Sequence, residues 1–170
     1  MALNLEGKKA LVAEVNSAAL EAESGVLAEY RGLSVAELSK LRMQARKAGV
    51  YLRVVKNTLA KKAFKGTSLE CLEGSLQGPL IIALAKDDPG SAARLVNNFS
   101  KENKKLVAVA IALGGTLHGP EHLVQIASLP TLDEARSMLL RVLQAPLTQF
   151  VRTINEVPSQ MVRVLNAKAQ

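Results

Sequence analysis

The spacing of hydrophobic and polar positions changes several times along this chain, and each change marks an element. Leu5, Leu11, Val12, Val15 and Leu20 sit among charged residues over 5–22, the pattern of an amphipathic helix. GVLAEY at 25–30 reads as a strand, and RGLS at 31–34 as a glycine-containing turn. Ser34 with Glu37 three residues on is a capping box. It opens a helix to about Lys47, with Gly49 as its stop. Residues 51–55 are rich in β-branched and aromatic side chains, hence a strand, and Asn57 reads as the N-cap of a helix ending near Lys65. A short helix over 69–76, a Gly78-Pro79 break and the strand LIIALA at 80–85 follow. DDPG at 87–90 is turn chemistry before a helix over 91–101. LVAVAIAL at 106–113 is a buried strand, Gly114-Gly115 a bend or hairpin, and 120–128 a short helix. Strands alternating with helices predict an α/β layered domain with a mixed sheet over 1–130, strand order undetermined.

Beyond Pro130 the texture changes. Thr131 and Glu134 form a second capping box, opening one long helix over 131–170 that is expected to protrude from the globular part. Within it SMLLRVLQAPL (137–147), TQFVRTINEVP (148–158) and SQMVRVLNAKA (159–169) align without a gap. Each unit has Ser or Thr first, Arg fifth and Gln or Asn eighth. Its apolar positions are Leu139, Leu140 and Leu143, then Phe150, Val151 and Ile154, then Met161, Val162 and Leu165. Eleven residues make three turns with about 20° left over, so equivalent side chains return to nearly one face, roughly 16 Å further along. Such an array offers similar apolar sockets in a row, and helix-in-groove docking is the expected mode. Pro146 and Pro158 each remove a helix hydrogen bond and permit a kink. An amphipathic tail helix can instead cover its own domain. A coiled coil would want a seven-residue repeat without interior proline, and surface binding to a membrane would want more basic residues and Trp.

Charge adds a second feature. The net charge is +7 over 170 residues. Residues 1–40 carry four basic and six acidic groups, 41–66 eight basic and none acidic, and 67–170 ten basic and nine acidic. The excess therefore sits in one short window. Cations with no carboxylate among them repel one another unless an anion compensates, and a polyanion is the natural partner. On a helical wheel Asn57, Thr58, Lys61, Lys62 and Lys65 share an arc of about 140°, opposite Leu59, Ala60, Ala63 and Phe64. The helix start adds free N–H groups suited to phosphate. Arg53 and Lys56 are expected beside it, and Arg46 and Lys47 close by. With only Tyr30 and Tyr51 available for stacking in this region, a folded RNA fits better than an unstacked strand.

Other chemistry is sparse. Cys71 is the only cysteine, which leaves no disulfide framework and no cysteine cluster for zinc; it reads as a small buried hydrophobe. His118 and His122 lack metal-ligand companions and read as exposed polar residues. No metal site, cofactor motif, Ser–His or Cys–His set, or P-loop is present. The first ten residues lack a signal-peptide core, and no apolar run is long enough to span a bilayer, so a cytoplasmic, membrane-free protein is expected.

With these features in view, the chain resembles the bacterial large-subunit ribosomal stalk-base family (large ribosomal protein ten, related to the P-zero proteins). The residues that carry the resemblance are YRGLS at 30–34, AGVYLRVVKNTLAKKA at 48–63, ECLEG at 70–74, GP at 78–79 and LPTLDEA at 129–135. The resemblance implies a non-enzymatic constituent of the large subunit. An α/β domain would bind large-subunit rRNA at the factor-binding centre. A mobile C-terminal helix would carry dimers of the acidic stalk protein, which recruit translational GTPases. By position, Arg31, Gly32, Arg53, Lys56, Asn57, Thr58, Lys61 and Lys62 match the family's rRNA-binding region, and the helix from about Arg136 its dimer-docking segment. Lys stands at 56, 61 and 62 where some relatives have Arg, keeping charge and losing bidentate contact. Members carry two or three dimers, and the three repeats favour three. Two other readings stand beside this one: a small RNA-directed enzyme using the basic patch to hold substrate, and a DNA-binding regulator with an oligomerising helix.

Overall fold

The structure, a computed structural model, describes residues 4–86, 88–103 and 105–169, and divides into two compact units, Met1–Leu129 and Pro130–Gln170. The first unit holds strands β1 (Ser24–Glu29), β2 (Val50–Val54), β3 (Leu80–Ala85), β4 (Val107–Leu113) and β5 (Thr116–His118). Its helices are α1 (Leu5–Glu21), α2 (Val35–Lys47), α3 (Asn57–Phe64), α4 (Ser91–Glu102) and α5 (Leu123–Ala127). Short 3-10 segments lie at Glu70–Ser75 and Pro120–His122.

The strands form one sheet in the order β2-β3-β1-β4-β5, and every neighbouring pair is antiparallel. This corrects the expectation of a mixed sheet, and the reason lies in the connections. The α2 crossover joins β1 to β2, which run parallel as the alternation of elements predicts, but β3 is inserted between them in the opposite direction. The α4 crossover likewise joins β3 to β4 with β1 between them. Two interleaved split βαβ units thus leave no adjacent parallel pair.

Both faces of the sheet are covered, so its central strands read as almost unbroken apolar runs. All six residues of β3 are buried, as are Ser24–Ala28 of β1. On one face Val26, Ile81, Ala83 and Ile111 pack with Leu41 and Ala45 of α2, Phe99 of α4 and Ile126 of α5. On the other, Leu27, Ile82 and Leu84 pack with Val15 and Ala19 of α1, Phe64 of α3 and Leu72 of the first 3-10 segment. Cys71 belongs to the edge of this second layer and is partly exposed, not sealed as expected, with its thiol near the Ser68 carbonyl at 3.9 Å. Gly25 lets the layer close on the strand: a Cβ there would lie 3.1 Å from Leu69 Cδ2.

The local signals largely hold. Ser34 and Glu37 form a reciprocal capping box: the Ser34 N–H donates to the Glu37 carboxylate at 2.6 Å and the Glu37 N–H to Ser34 Oγ at 3.3 Å. Hydrogen bonding to Ser34, its backbone N–H first, holds the Glu37 carboxyl below its ordinary pKa. The helix expected over 69–76 is a 3-10 segment, and that over 120–128 splits into a 3-10 turn and α5. Gly114-Gly115 makes a hairpin into β5, a strand too short to leave a periodic pattern. In the turn at 87–90, Asp87 lies outside the described residues. Asp88 accepts from the Gly90 N–H at 3.0 Å and pairs with Arg94 at 2.8 Å, and Arg94 also donates to the Leu129 carbonyl at 3.0 Å.

The second unit is a single helix, α6 (Leu132–Ala169), of 38 residues. Its capping box is formed: the Thr131 N–H donates to Glu134 at 2.9 Å and the Glu134 N–H to Thr131 Oγ1 at 3.4 Å. The helix continues through Pro146 and Pro158. The Ser/Thr at the first place of the second and third units has a structural task. Thr148 and Ser159 donate to the Gln144 and Asn155 carbonyls at 3.0 and 2.7 Å, four residues back and close to each proline.

Phe64 is fully buried where α3 meets the sheet. Phe64→Ala is expected to lower unfolding stability by about 3–4 kcal/mol, read from urea unfolding followed by circular dichroism. A loss below about 1 kcal/mol would mean that α3 is not seated as described.

Candidate nucleic-acid interface and partner helix

One end of the sheet gathers most of the candidate RNA residues. Pairing of Glu29 with Leu80, and of Val54 with Ile81, brings the ends of β1 and β2 beside the start of β3. Tyr30, Lys56, Asn57, Thr58, Gly78 and Pro79 therefore line one shallow groove of about 360 Å³. Arg31 and Gly32 form the turn that leaves β1, closed by the Leu33 N–H on the Tyr30 carbonyl at 3.2 Å. Gly32 has φ +86°, a conformation that a side chain would strain. The stem of Lys105 passes there, 3.8 Å from where a Gly32 Cβ would sit, so a further cation stands at this end.

The start of α3 differs from expectation in one respect. Lys56, not Asn57, is the residue that flanks the helix, and no side chain caps it. The Asn57 amide instead donates to the Gly78 carbonyl at 3.0 Å, tying the helix start to the turn before β3. The first helical bonds run from the Leu59 and Ala60 N–H groups to the Lys56 carbonyl, at 2.8 and 3.0 Å. The N–H groups of Asn57 and Thr58 find no acceptor among the described residues, and point to where an anion can bind. Lys56, Thr58 and Lys62 are exposed and Lys61 is half-buried.

Two expectations fail here. Arg53 is not short of a carboxylate: Glu14 of α1 is paired with it, and the Tyr51 hydroxyl donates to the same Glu14 oxygen at 3.0 Å. The Tyr51 hydroxyl and the Glu14 carboxylate stabilise the charged guanidinium, and burial pushes the Tyr51 phenol above its ordinary value. The reason is alternation along β2, which turns Tyr51 and Arg53 toward α1 while Val50 and Leu52 pack on the opposite face. Nor do Arg46 and Lys47 lie near the start of α3. They end α2, on the other layer, at the opposite end of β2; five strand residues separate the two ends by about 16 Å. The basic window is thus divided between two surfaces.

On α6 the apolar residues of the three units fall within an arc of about 140° at 100° per residue. Leu139, Leu140 and Leu143 are 61, 57 and 66% exposed, and Phe150, Val151, Ile154, Met161, Val162 and Leu165 are each more than half exposed. Arg141, Arg152 and Arg163 lie on the opposite side, with no ion pair among the described residues.

Comparison with known proteins decides what this pairing of surfaces belongs to. The family model described as Ribosomal protein L10 matches residues 3–101, and that described as Ribosomal protein uL10 C-terminal region matches 129–169. Relatives named Large ribosomal subunit protein uL10 are similar over nearly the whole chain. The protein from Halorhodospira halophila is 55% identical over 98% of this chain and 95% of its own. Those from Francisella tularensis subsp. novicida and Thioalkalivibrio sulfidiphilus are 54% and 53% identical over 98% of this chain, and 97% and 95% of their own. The chain belongs to the ribosomal protein L10 family.

As a member of that family it is a structural component of the large ribosomal subunit and not an enzyme, so the RNA-directed enzyme reading is set aside. Among the described residues no group of three or more His, Cys, Asp or Glu could hold a metal, and no helix is long and apolar enough to cross a membrane. Sequence reasoning missed Lys105, far from the basic window in the chain, and Lys8 and Lys9 of α1, which line a groove with Lys62. No local signal links these residues; only the fold does.

The Arg53–Glu14 pair is partly exposed, at 39 and 48%, and screening limits its worth. A double-mutant cycle with Glu14→Gln and Arg53→Gln is expected to give a coupling of about 0.2–1 kcal/mol, measured by urea unfolding. Zero coupling would mean that the pair does not brace α1 on β2.

Proposed function

We propose that the first unit holds large-subunit rRNA at the factor-binding centre, and that α6 carries three dimers of the acidic stalk protein, which recruit translational GTPases. The observation that carries this reading is the exposed apolar arc of α6, repeated three times at the eleven-residue spacing. Burying three apolar side chains per unit is worth about 4–8 kcal/mol gross, enough for stable docking after association costs. Membership of a ribosomal family supplies the setting.

In the RNA interface Lys56, Lys61 and Lys62 attract phosphates as point charges, and Arg31 grips one bidentately. The N–H groups of Asn57 and Thr58 receive another at the start of α3. Gly32 lets the backbone turn close under the RNA. Arg53 acts as a brace to α1 while it is held by Glu14, and Arg46 and Lys47 contribute a separate contact at the far end of β2.

A preparation of the full chain with Lys56→Glu and Lys61→Glu tests the division. RNA affinity for large-subunit rRNA is expected to fall on the order of 100-fold, and the slope of log K against log salt to lose about two units from a starting value near −4 to −5. Complex formation with the acidic stalk protein should be unchanged. Loss of both activities together would contradict a chain of two functionally separate units.

A further inference from the structure

Helices α1 and α3 pack against each other, and residues of both line a groove of about 430 Å³ on the surface of the first unit. Its walls are apolar: Leu5, Val12 and Ala13 from α1, and Leu59 from α3. Leu5 is 63% exposed, unusual for a leucine beside an apolar slot that could have covered it. Three lysines, Lys8, Lys9 and Lys62, line the same groove, and no carboxylate does. Asn16 is a further lining residue; its amide N–H donates to the Ala63 carbonyl at 2.7 Å, which leaves its amide oxygen as an acceptor.

An occupant of this groove must be apolar and compact in its body, carry negative charge at its margins, and present a donor to Asn16. A nucleotide meets all three conditions: an aliphatic slot takes the faces of the base, an exocyclic amine reaches the amide oxygen, and the flanking phosphates lie on the lysines. A cavity of this volume is in the range that takes a small planar group. Continuity favours RNA over an acidic protein helix, because Lys62 belongs at once to the groove and to the cationic side of α3 that begins at Lys56. We propose that the groove between α1 and α3 is a nucleotide-binding subsite, in which an unstacked base of the bound RNA is buried against Leu5, Val12 and Leu59 while Lys8 and Lys9 hold its phosphates. The inference rests on the RNA-binding reading above and adds α1 to that surface, a helix whose segment is net acidic in the sequence.

The test uses the full chain and overlapping transcripts of large-subunit rRNA, from which the tightest-binding transcript is chosen and prepared with 4-thiouridine. Lys8→Gln with Lys9→Gln removes charge, and Ala13→Phe fills the slot; all three positions are exposed, so circular dichroism and Tm should stay at the values of the unsubstituted chain. The lysine variant is expected to reduce the magnitude of the log K against log salt slope by about 1.8, two counterions' worth. Ala13→Phe is expected to weaken binding about tenfold with the slope unchanged. It should also abolish a 4-thiouridine crosslink to α1 that the unsubstituted chain gives. RNA binding that is sensitive to Lys56→Glu with Lys61→Glu but indifferent to both groove variants overturns the subsite alone, and leaves the groove to an acidic protein helix. Failure of the unsubstituted chain to bind any transcript overturns the RNA-binding reading, and the subsite with it.

Discussion

Among the described residues of α6, fourteen large apolar side chains from Leu132 to Leu165 are each more than half exposed to water, and the rest of the account depends on what covers them. A helix this long is cooperative enough to form from capping, propensity and its own hydrogen bonds, yet an apolar stripe left open along it invites association. The stripe is ordered. Its period brings equivalent residues back within about 20° every three turns, so the exposed surface is a row of similar sockets and not a smear. The two prolines and the hydroxyl-to-carbonyl bonds of Thr148 and Ser159 fall near the junctions between units, where a local adjustment of the helix disturbs a socket least.

The first unit has the complementary problem, cations without anions. The sheet's interleaved connections solve the geometric half of it. They bring the ends of β1 and β2 and the start of β3 together, so that Arg31, Lys56 and Thr58, from separate parts of the chain, share one end of the molecule's first unit. Among the described cations of that neighbourhood Arg53 is the one held in an ion pair, and there the pair fastens α1 to the edge strand. What remains unpaired faces outward. A basic surface on one unit and an apolar row on the other are what the proposed scaffold requires: one unit to hold RNA and one to carry partners.

Much of this was legible in local patterns. The two capping boxes, the apolar strands and the eleven-residue period each depend on residues close in the chain, and each is found in the structure. The sheet's direction was not legible, because alternation of strands and helices is equally compatible with adjacent parallel strands and with strands that are later separated by an inserted neighbour. The site was half legible. Lys56, Asn57 and Thr58 follow directly from the sequence around β2, whereas the Glu14 partner of Arg53 and the approach of Lys105 to Gly32 come from distant segments. The reading of the basic window as one surface failed for a simple reason: charge counted along a chain says nothing about which face or end of a sheet each residue reaches. Asn57 misled because its amide has two possible uses, and tertiary contact with Gly78 won over helix capping.

The central claim is that each eleven-residue unit of α6 docks one dimer. Native mass spectrometry of the complex with the acidic stalk protein tests it most directly, comparing the full chain with chains ending after Leu147 and after Pro158. The account predicts three dimers on the full chain, two on the longer truncation and one on the shorter. An unchanged dimer count across the three chains, or no complex with the full chain, would contradict it.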